Sequence, residues 1–231
     1  MQNWFIWLFI IFALIGPLIY SATTLRNFFI SLRIPTTWIS ALPGKGWVEV
    51  TGRIHGEPIK SLLRKADCAY WQLEVQEYQS GNRGGGRWRS IYKKSSGSFL
   101  VDDMTGRIKI QEGKPALVMN NEYLLDKLDE STRELLESIG VKTKGFLNFD
   151  KRLRVFERLI APDEEILVLG RLQKSEVPVS ISGNEIVPQV ISNMNRAEMN
   201  KALFNQAVRP MLLPYLVVMA FIIFFLYEFL K

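Results

Sequence analysis

The chain has one thiol, Cys68, and one imidazole, His55, the side chains best suited to nucleophilic and general-base chemistry. A reactive cysteine needs a base and a third group that orients that base, and the sequence suggests no such group beside His55. Cys68 precedes an apolar segment rich in aromatic residues, where a small buried thiol is common. We therefore predict that Cys68 is structural. One cysteine and one histidine also exclude a disulfide scaffold and a Cys/His zinc finger.

Four carboxylates could bind a divalent cation or act as an acid/base pair. They are Glu74, Glu77, Asp102 and Asp103. The two aspartates stand directly before Met104-Thr105-Gly106, and an aspartate in that position commonly accepts hydrogen bonds from turn amides. We favour this turn role, so the sequence predicts no catalytic residues, no metal and no other cofactor.

The segment from Tyr78 to Val101 carries basic and aromatic side chains and no Asp or Glu. Such a patch could stack bases and neutralise phosphates, contact anionic lipid, or bind an acidic protein. A solvated hairpin without a partner is the alternative. The predicted binding residues are Arg83, Arg87, Trp88, Arg89, Tyr92, Lys93 and Lys94. Gly84-Gly85-Gly86 is not a phosphate loop, because no Lys-Ser/Thr pair follows it.

Period-2 alternation between Gly-containing turns predicts that the region holding these residues is mainly β. The predicted strands are residues 47–54, 70–78, 88–94, 99–103, 107–110, 165–172, 177–182 and 186–190. Gly183-Asn184 predicts a tight hairpin between the last two.

Two helices accompany the strands. Ser131-Thr132-Arg133-Glu134 is a capping box that predicts a helix ending at Gly140. Residues 195–208 form the second, with Met199, Leu203 and Ala207 on one face. We predict an α+β fold that is mainly β: a small β-barrel or sandwich, OB-like by hypothesis, with a covering helix.

Both ends of the chain resemble transmembrane helices, because residues 4–20 and 210–227 are apolar and uncharged. A cleaved signal peptide is the rival interpretation of the first run, but no Lys or Arg precedes it. Basic residues cluster on the inner side of both runs, which predicts a cytoplasmic central domain and termini outside. These residues are Arg26, Arg33, Lys45, Arg196, Lys201 and Arg209.

The predicted organisation has five segments. They are a transmembrane helix and flank (1–25), a juxtamembrane linker (26–46), a β-rich domain (47–192), a juxtamembrane helix (193–209) and a second transmembrane helix (210–231).

The order of the segments resembles the GIDE family, the membrane domain of mitochondrial RING-type E3 ubiquitin ligases, which also has prokaryotic members. The matching segments are V-x-V-x-G-R-I at 48–54, C-A-Y-W-Q-L-E-V-Q-E-Y at 68–78, F-L-V-D-D-M-T-G-R-I-K-I at 99–110 and E-R-L-I-A-P-D-E-E-I-L-V-L-G at 157–170. A Gly-turn hairpin and the second apolar run follow them. The resemblance implies the fold and the two-span arrangement. It does not imply ligase activity, because a RING needs a full set of Cys and His ligands for each zinc ion.

We predict that the protein is a non-catalytic binding or scaffolding module beside the membrane. Its architecture would be GIDE-like without a RING, and it would act in envelope or membrane stress response. Its predicted partners are the lipid bilayer and a membrane protein. Nucleic acid is less favoured, because tethering at both ends limits access to a long polymer. The alternatives are a component of a ubiquitin-ligase-type transferase system whose partner supplies catalysis, or a membrane-tethered nucleic-acid or lipid sensor.

Overall fold

The computed structural model describes residues 22–80, 86–113, 115–120, 122–145, 149–174 and 184–229. The chain divides into two compact units. The larger is Thr36–Met194, and the smaller combines Met1–Pro35 with Asn195–Lys231.

The larger unit is mostly β. Its strands are β1 (Gly46–His55), β2 (Ile59–Lys60), β3 (Asp67–Cys68), β4 (Tyr70–Ser80), β5 (Gly86–Ser95), β6 (Phe99–Asp102), β7 (Arg107–Ile110), β8 (Ala116–Val118), β9 (Glu122–Leu125), β10 (Leu153–Ile160), β11 (Glu165–Lys174) and β12 (Asn184–Ser192). The short 3-10 helix η1 (Ile39–Ala41) precedes them, and α2 (Glu130–Ser138) follows β9.

Five strands close into a barrel, which confirms the predicted small β-barrel. Their order is β11-β1-β6-β7-β12, and β12 pairs back to β11. The β12–β7 pairing is parallel, the other four are antiparallel, and β8 adds to β12 in parallel. The inward side chains alternate along each strand and form the first core, for example Val48, Val50, Val101, Ile108, Val168 and Ile191.

A second sheet, in the order β5-β4-β10-β9, is made of two insertions into the barrel sequence. β4 and β5 lie between β1 and β6 in the chain, whereas β9 and β10 lie between β7 and β11. One face of this sheet forms a second core beneath α2. This core contains Cys68, Trp71, Leu73, Val75, Leu136, Val141, Leu153 and Val155.

The start of α2 differs from the predicted capping box. The N-cap is Asp129, whose carboxylate accepts a hydrogen bond from the Thr132 amide at 2.9 Å. The Asp carboxylate is as good an N-cap as the Ser131 hydroxyl and begins the helix two residues earlier. Gly140 follows the last turn with φ of +87°, in agreement with its predicted role.

The described part of the smaller unit contains a helix over residues 22–33, α1, and the helix α3 (Arg196–Phe229). The Arg196 guanidinium donates to the carbonyl oxygens of Ser31 and Ile34 at 2.6 Å each. The Phe28 and Phe204 rings lie 5.5 Å apart. The face predicted from Met199, Leu203 and Ala207 is fully buried.

The prediction of a multi-pass membrane protein is wrong. In the ranges described, no helix is both long enough and apolar enough to cross a bilayer. The predicted run 4–20 lies outside those ranges, and the run 210–227 is the later part of the 34-residue α3. The apolar run suggested a separate element, but it continues a helix whose first turns carry Arg196, Glu198 and Lys201. The predictions of bracketing spans, of a cytoplasmic central domain and of membrane localisation depended on it and are contradicted too.

Only part of the predicted hairpin at Gly183-Asn184 lies within the described residues. The predicted strand 177–182 and Gly183 lie outside the described residues. β12 contains the predicted strand 186–190, and its antiparallel partner is β11.

A glycine lets the barrel close. The register of β11 against β12 shifts between Leu169 and Gly170, and a Cβ on Gly170 would lie 2.5 Å from the Val187 carbonyl oxygen. Because that oxygen belongs to the backbone, the two strands must separate to admit a methyl group.

We expect Gly170→Ala to lower the free energy of unfolding by about 1–3 kcal/mol, measured by urea denaturation. Gly56→Ala is the matched control, because a Cβ there meets nothing within 4 Å. Its stability should change by no more than about 0.5 kcal/mol. Equal unfolding midpoints for the two variants would contradict a close β11–β12 seam.

Candidate functional site

The outer face of the second sheet carries a cluster of arginine and aromatic side chains that we call the arginine–aromatic face. It consists of Tyr78 on β4, Trp88 on β5, and Arg152, Arg154, Phe156 and Arg158 on or next to β10. Side chains alternate along a strand, so these even-numbered residues lie opposite Leu153 and Val155 of the second core.

Two guanidinium groups share one indole. The Arg154 Cζ lies 4.3 Å from the centroid of the Trp88 ring, and the Arg152 Cζ lies 5.6 Å from it. Arg152 also lies over the Tyr78 ring at 4.7 Å, and Arg154 over the Phe156 ring at 5.0 Å. Cation–π contact holds both cations in fixed positions on the sheet.

A hydrogen-bond relay further fixes Arg154. Its Nε donates to Gln76 Oε1 at 2.9 Å, and Gln76 Nε2 donates to Glu74 Oε1 at 2.7 Å. Burial would raise the pKa of Glu74, but the Gln76 hydrogen bond and the Arg158 guanidinium outweigh it and lower that pKa. Glu74 is therefore ionised at neutral pH, and it orients the amide that orients Arg154.

The three arginines differ in charge compensation. Arg158 pairs with Glu74 at 3.2 Å and with Glu122 at 2.8 Å. Arg152 and Arg154 form no ion pair with any carboxylate of the described residues. Their positive charges remain available to an external anion.

The aromatic rings are positioned by the β4–β5 pairing. Tyr78 and Trp88 are directly opposite each other, with ring centroids 5.3 Å apart in an edge-to-face arrangement. Gly86 makes room for the Tyr78 ring, since a Cβ at that position would overlap the phenol. Gly86 thus has a packing role, which the sequence analysis did not assign to it.

The predicted basic hairpin exists as β4 and β5, but its side chains divide between two faces. The register places Trp88 and Lys93 on the arginine–aromatic face, where Lys93 Nζ donates to the Pro115 carbonyl oxygen at 3.0 Å. The opposite face receives Arg87, Arg89, Tyr92 and Lys94. Tyr92 packs against the second core. Arg83 lies outside the described residues, and ligand binding by this set stays a prediction.

Arg152, Arg154 and Arg158 were missed by the sequence analysis. The segment R-L-R-V-F-E-R over residues 152–158 alternates between two sets, one of arginines and Phe156 and one of Leu153, Val155 and Glu157. That alternation was a usable signal for a strand with one cationic face.

Cys68 is buried within the second core, and its thiol donates to the Ile59 carbonyl oxygen at 3.4 Å. Burial, together with the carboxylates of Glu157 and Asp67, raises the pKa of this thiol to about 11. A thiol that stays protonated at neutral pH is a poor nucleophile. His55 lies at the exposed end of β1 in the barrel, whereas Cys68 lies in the second core, so no reactive Cys–His pair forms.

The four carboxylates suggested for metal or acid/base chemistry are not brought together. Glu74 and Glu77 lie on the second sheet, whereas Asp102 and Asp103 belong to the barrel. Lys151 pairs with Glu77 at 3.1 Å. Within the described ranges, no group of three or more His, Cys, Asp or Glu residues could hold a metal ion.

The two aspartates organise the β6–β7 hairpin. Asp103 accepts from the amides of Ile39, Thr105 and Gly106 at 2.6, 2.9 and 3.1 Å, so it also fastens η1. Asp102 accepts from the Met104 amide and pairs with Arg107 at 2.7 Å. These are the turn contacts that the sequence favoured.

An open cleft of about 830 Å³ lies beside this hairpin. Its walls include Trp38, Arg53, His55, Asp102 and Glu165. Charges of both signs line it, and Asp102 and Asp103 in its wall are already occupied by turn contacts. The charged lining residues are four carboxylates (Asp102, Asp103, Asp163 and Glu165) and the Arg53 guanidinium, so the cleft does not favour an anion, in contrast to the arginine–aromatic face.

No protein-family model, curated protein or solved structure matches this chain significantly. The resemblance to the GIDE family is therefore a proposal. The functional inference rests on the geometry of the arginine–aromatic face.

We expect Cys68 in the native protein to react with Ellman's reagent at least about 100-fold more slowly than an exposed thiol, because its thiolate is rare and buried. Met104→Cys in a Cys68→Ser background is the control, since Met104 is 95% exposed. Urea should abolish the difference. Rapid labelling of native Cys68 would contradict a structural thiol.

Asp103 should contribute to stability at neutral pH and lose that contribution in acid. Burial would raise the pKa of its carboxyl, but the hydrogen bonds from Ile39, Thr105 and Gly106 outweigh it and hold that pKa below its ordinary value. A lowered folded-state pKa stabilises above the unfolded-state pKa, and the effect disappears as the pH falls through the folded-state pKa.

Asp103→Asn should therefore unfold at a lower temperature than wild type at pH 7. The gap in Tm should narrow as the pH falls below about 4. The exposed Asp126→Asn serves as control in the same pH series. A gap that stays constant across the acid range would contradict the assignment.

Proposed function

We propose that this chain is a non-catalytic binding module built on an OB-like barrel. The strand order supports the OB-like assignment: β1, β6 and β7 form a meander, and the last strand, β12, runs parallel to β7 and antiparallel to β11. Five-stranded Greek-key barrels of this kind commonly serve as binding scaffolds.

We further propose that the arginine–aromatic face binds an anionic macromolecule. The observation that carries this proposal is the placement of Arg152 and Arg154 on one indole without a carboxylate partner in the described residues. Cations fixed before binding lose little conformational freedom when an anion arrives.

The absence of catalysis is supported by the state of the groups that could perform it. The Cys68 thiol is buried with a raised pKa, and Asp103 is engaged by three amides. The thiol is inaccessible, and the Asp103 carboxylate, although it lines the cleft, is engaged in holding the turn and η1. A binding role needs no such group.

Membership of the GIDE family stands as a second proposal, resting on the order of segments quoted above. A role beside a partner-supplied RING would follow from that membership alone. No contact in the described residues favours it over simple binding, so the binding module is the function we put forward.

The full-length chain should bind heparin, used here as a generic polyanion, and elute at lower salt when Arg152→Glu and Arg154→Glu are combined. Each exposed contact contributes about 1 kcal/mol or less, and reversal turns attraction into repulsion, so affinity should fall at least about tenfold.

Lys142→Glu with Lys144→Glu is the matched control, because these exposed lysines follow α2, on the other side of the second sheet. Circular dichroism would verify that both double variants are folded. Identical elution of the two variants would overturn the assignment of the binding surface.

A further inference from the structure

We infer that the anionic partner of the arginine–aromatic face is single-stranded nucleic acid. This inference rests on the proposed function and names its ligand. It follows from the combination of aromatic rings with uncompensated cations on one sheet face, where Arg152 is exposed and Tyr78, Trp88 and Arg154 are partly exposed.

The first step concerns stacking. The Trp88 and Tyr78 rings and the guanidinium groups of Arg152 and Arg154 lie together, each cation 4.3–5.6 Å from a ring centroid. Aromatic rings and guanidinium planes are the protein groups on which unpaired bases stack, and every base has a π-face to offer.

The second step concerns phosphate. The Arg154 Nε is occupied by Gln76, which leaves the two terminal amino groups of the guanidinium to donate to an oxyanion. Arginine is suited to this task because its donors form a planar fork that matches phosphate geometry. Arg152, on the same indole, supplies a second fork beside the first.

The third step separates a nucleic acid from an acidic polypeptide. An acidic peptide would use the two cations but would leave the neighbouring ring surfaces without a matching group. Duplexes are disfavoured as well, because their bases are stacked internally and do not reach a flat sheet. A single strand offers phosphates to the cations and unpaired bases to the aromatic rings and guanidinium planes.

The sequence-based reason against nucleic acid was tethering at both ends by membrane spans. The described helices do not supply those spans. The net charge of +6 is consistent with a polyanionic partner.

The test uses the full-length chain and a fluorescein-labelled oligothymidylate of about 20 nucleotides, with fluorescence anisotropy measured over a series of salt concentrations. We expect binding that weakens with salt. Arg152→Gln with Arg154→Gln should lower the slope of log K against log salt by about 1.4, since each phosphate contact on a single strand contributes about 0.7. Lys142→Gln with Lys144→Gln should leave the slope unchanged.

A second variant tests stacking separately from charge. Trp88→Ala should weaken oligonucleotide binding by about 5-fold to 150-fold, whereas Trp88→Phe, which keeps a ring, should lose less. Equal losses for the two Trp88 variants would overturn the stacking role.

Polyglutamate is the competing probe. Salt-sensitive binding of polyglutamate without binding of the oligonucleotide would overturn the nucleic-acid inference while leaving the proposed anion-binding function intact. Binding of neither probe, in a folded protein, would overturn both. Oligonucleotide binding unaffected by the two arginine substitutions would overturn the inference as well.

Discussion

The antiparallel pairing of β4 with β10 is the contact on which the rest of the larger unit depends. It joins eight residue pairs, from Leu153 opposite Glu77 to Ile160 opposite Tyr70. β4 comes from one insertion into the barrel sequence and β10 from another, so this ladder is what makes a second sheet from two excursions of the chain. The ladder extends one residue further, because the Ala69 amide donates to the Ile160 carbonyl oxygen at 2.8 Å, and the buried Ile160 side chain belongs to the first core.

β10 serves a different purpose on each of its faces. On the inner face, the buried Glu157 accepts from the amides of Leu63 and Arg64 at 2.7 and 3.1 Å, which fastens the loop before β3. A buried carboxylate is tolerable only when such hydrogen bonds compensate for lost hydration. On the outer face, Arg152 and Arg154 keep their cations near solvent while their stems and planes lie on aromatic rings. One strand thus stabilises the fold and presents the proposed binding surface.

This arrangement explains why the candidate surface is on a sheet and not in a loop or cleft. A sheet fixes the spacing of its side chains, and the Glu74–Gln76–Arg154 relay removes the remaining freedom of one guanidinium. Preorganised cations of this kind give affinity for an anion without any change of backbone shape. The cleft beside the β6–β7 hairpin is lined mainly by carboxylates, and two of them, Asp102 and Asp103, hold the turn and η1.

The sequence by itself determined the features that depend on local pattern. Alternation was sufficient to place β1, β4, β5, β6, β7 and β11, Asp102 and Asp103 were recognisable as turn residues, and helical spacing identified the buried face of Met199, Leu203 and Ala207. Only the tertiary structure decided which strands meet. Arg154 and Gln76 are 78 positions apart in the chain, and nothing local to either predicts their hydrogen bond. Likewise, an uncharged run looked like a separate membrane span until the fold joined it to a helix that begins with charged turns. Periodicity is a property of neighbouring residues and can be recognised in the sequence. Strand pairing and the extent of a helix depend on contacts between residues that are far apart in the chain.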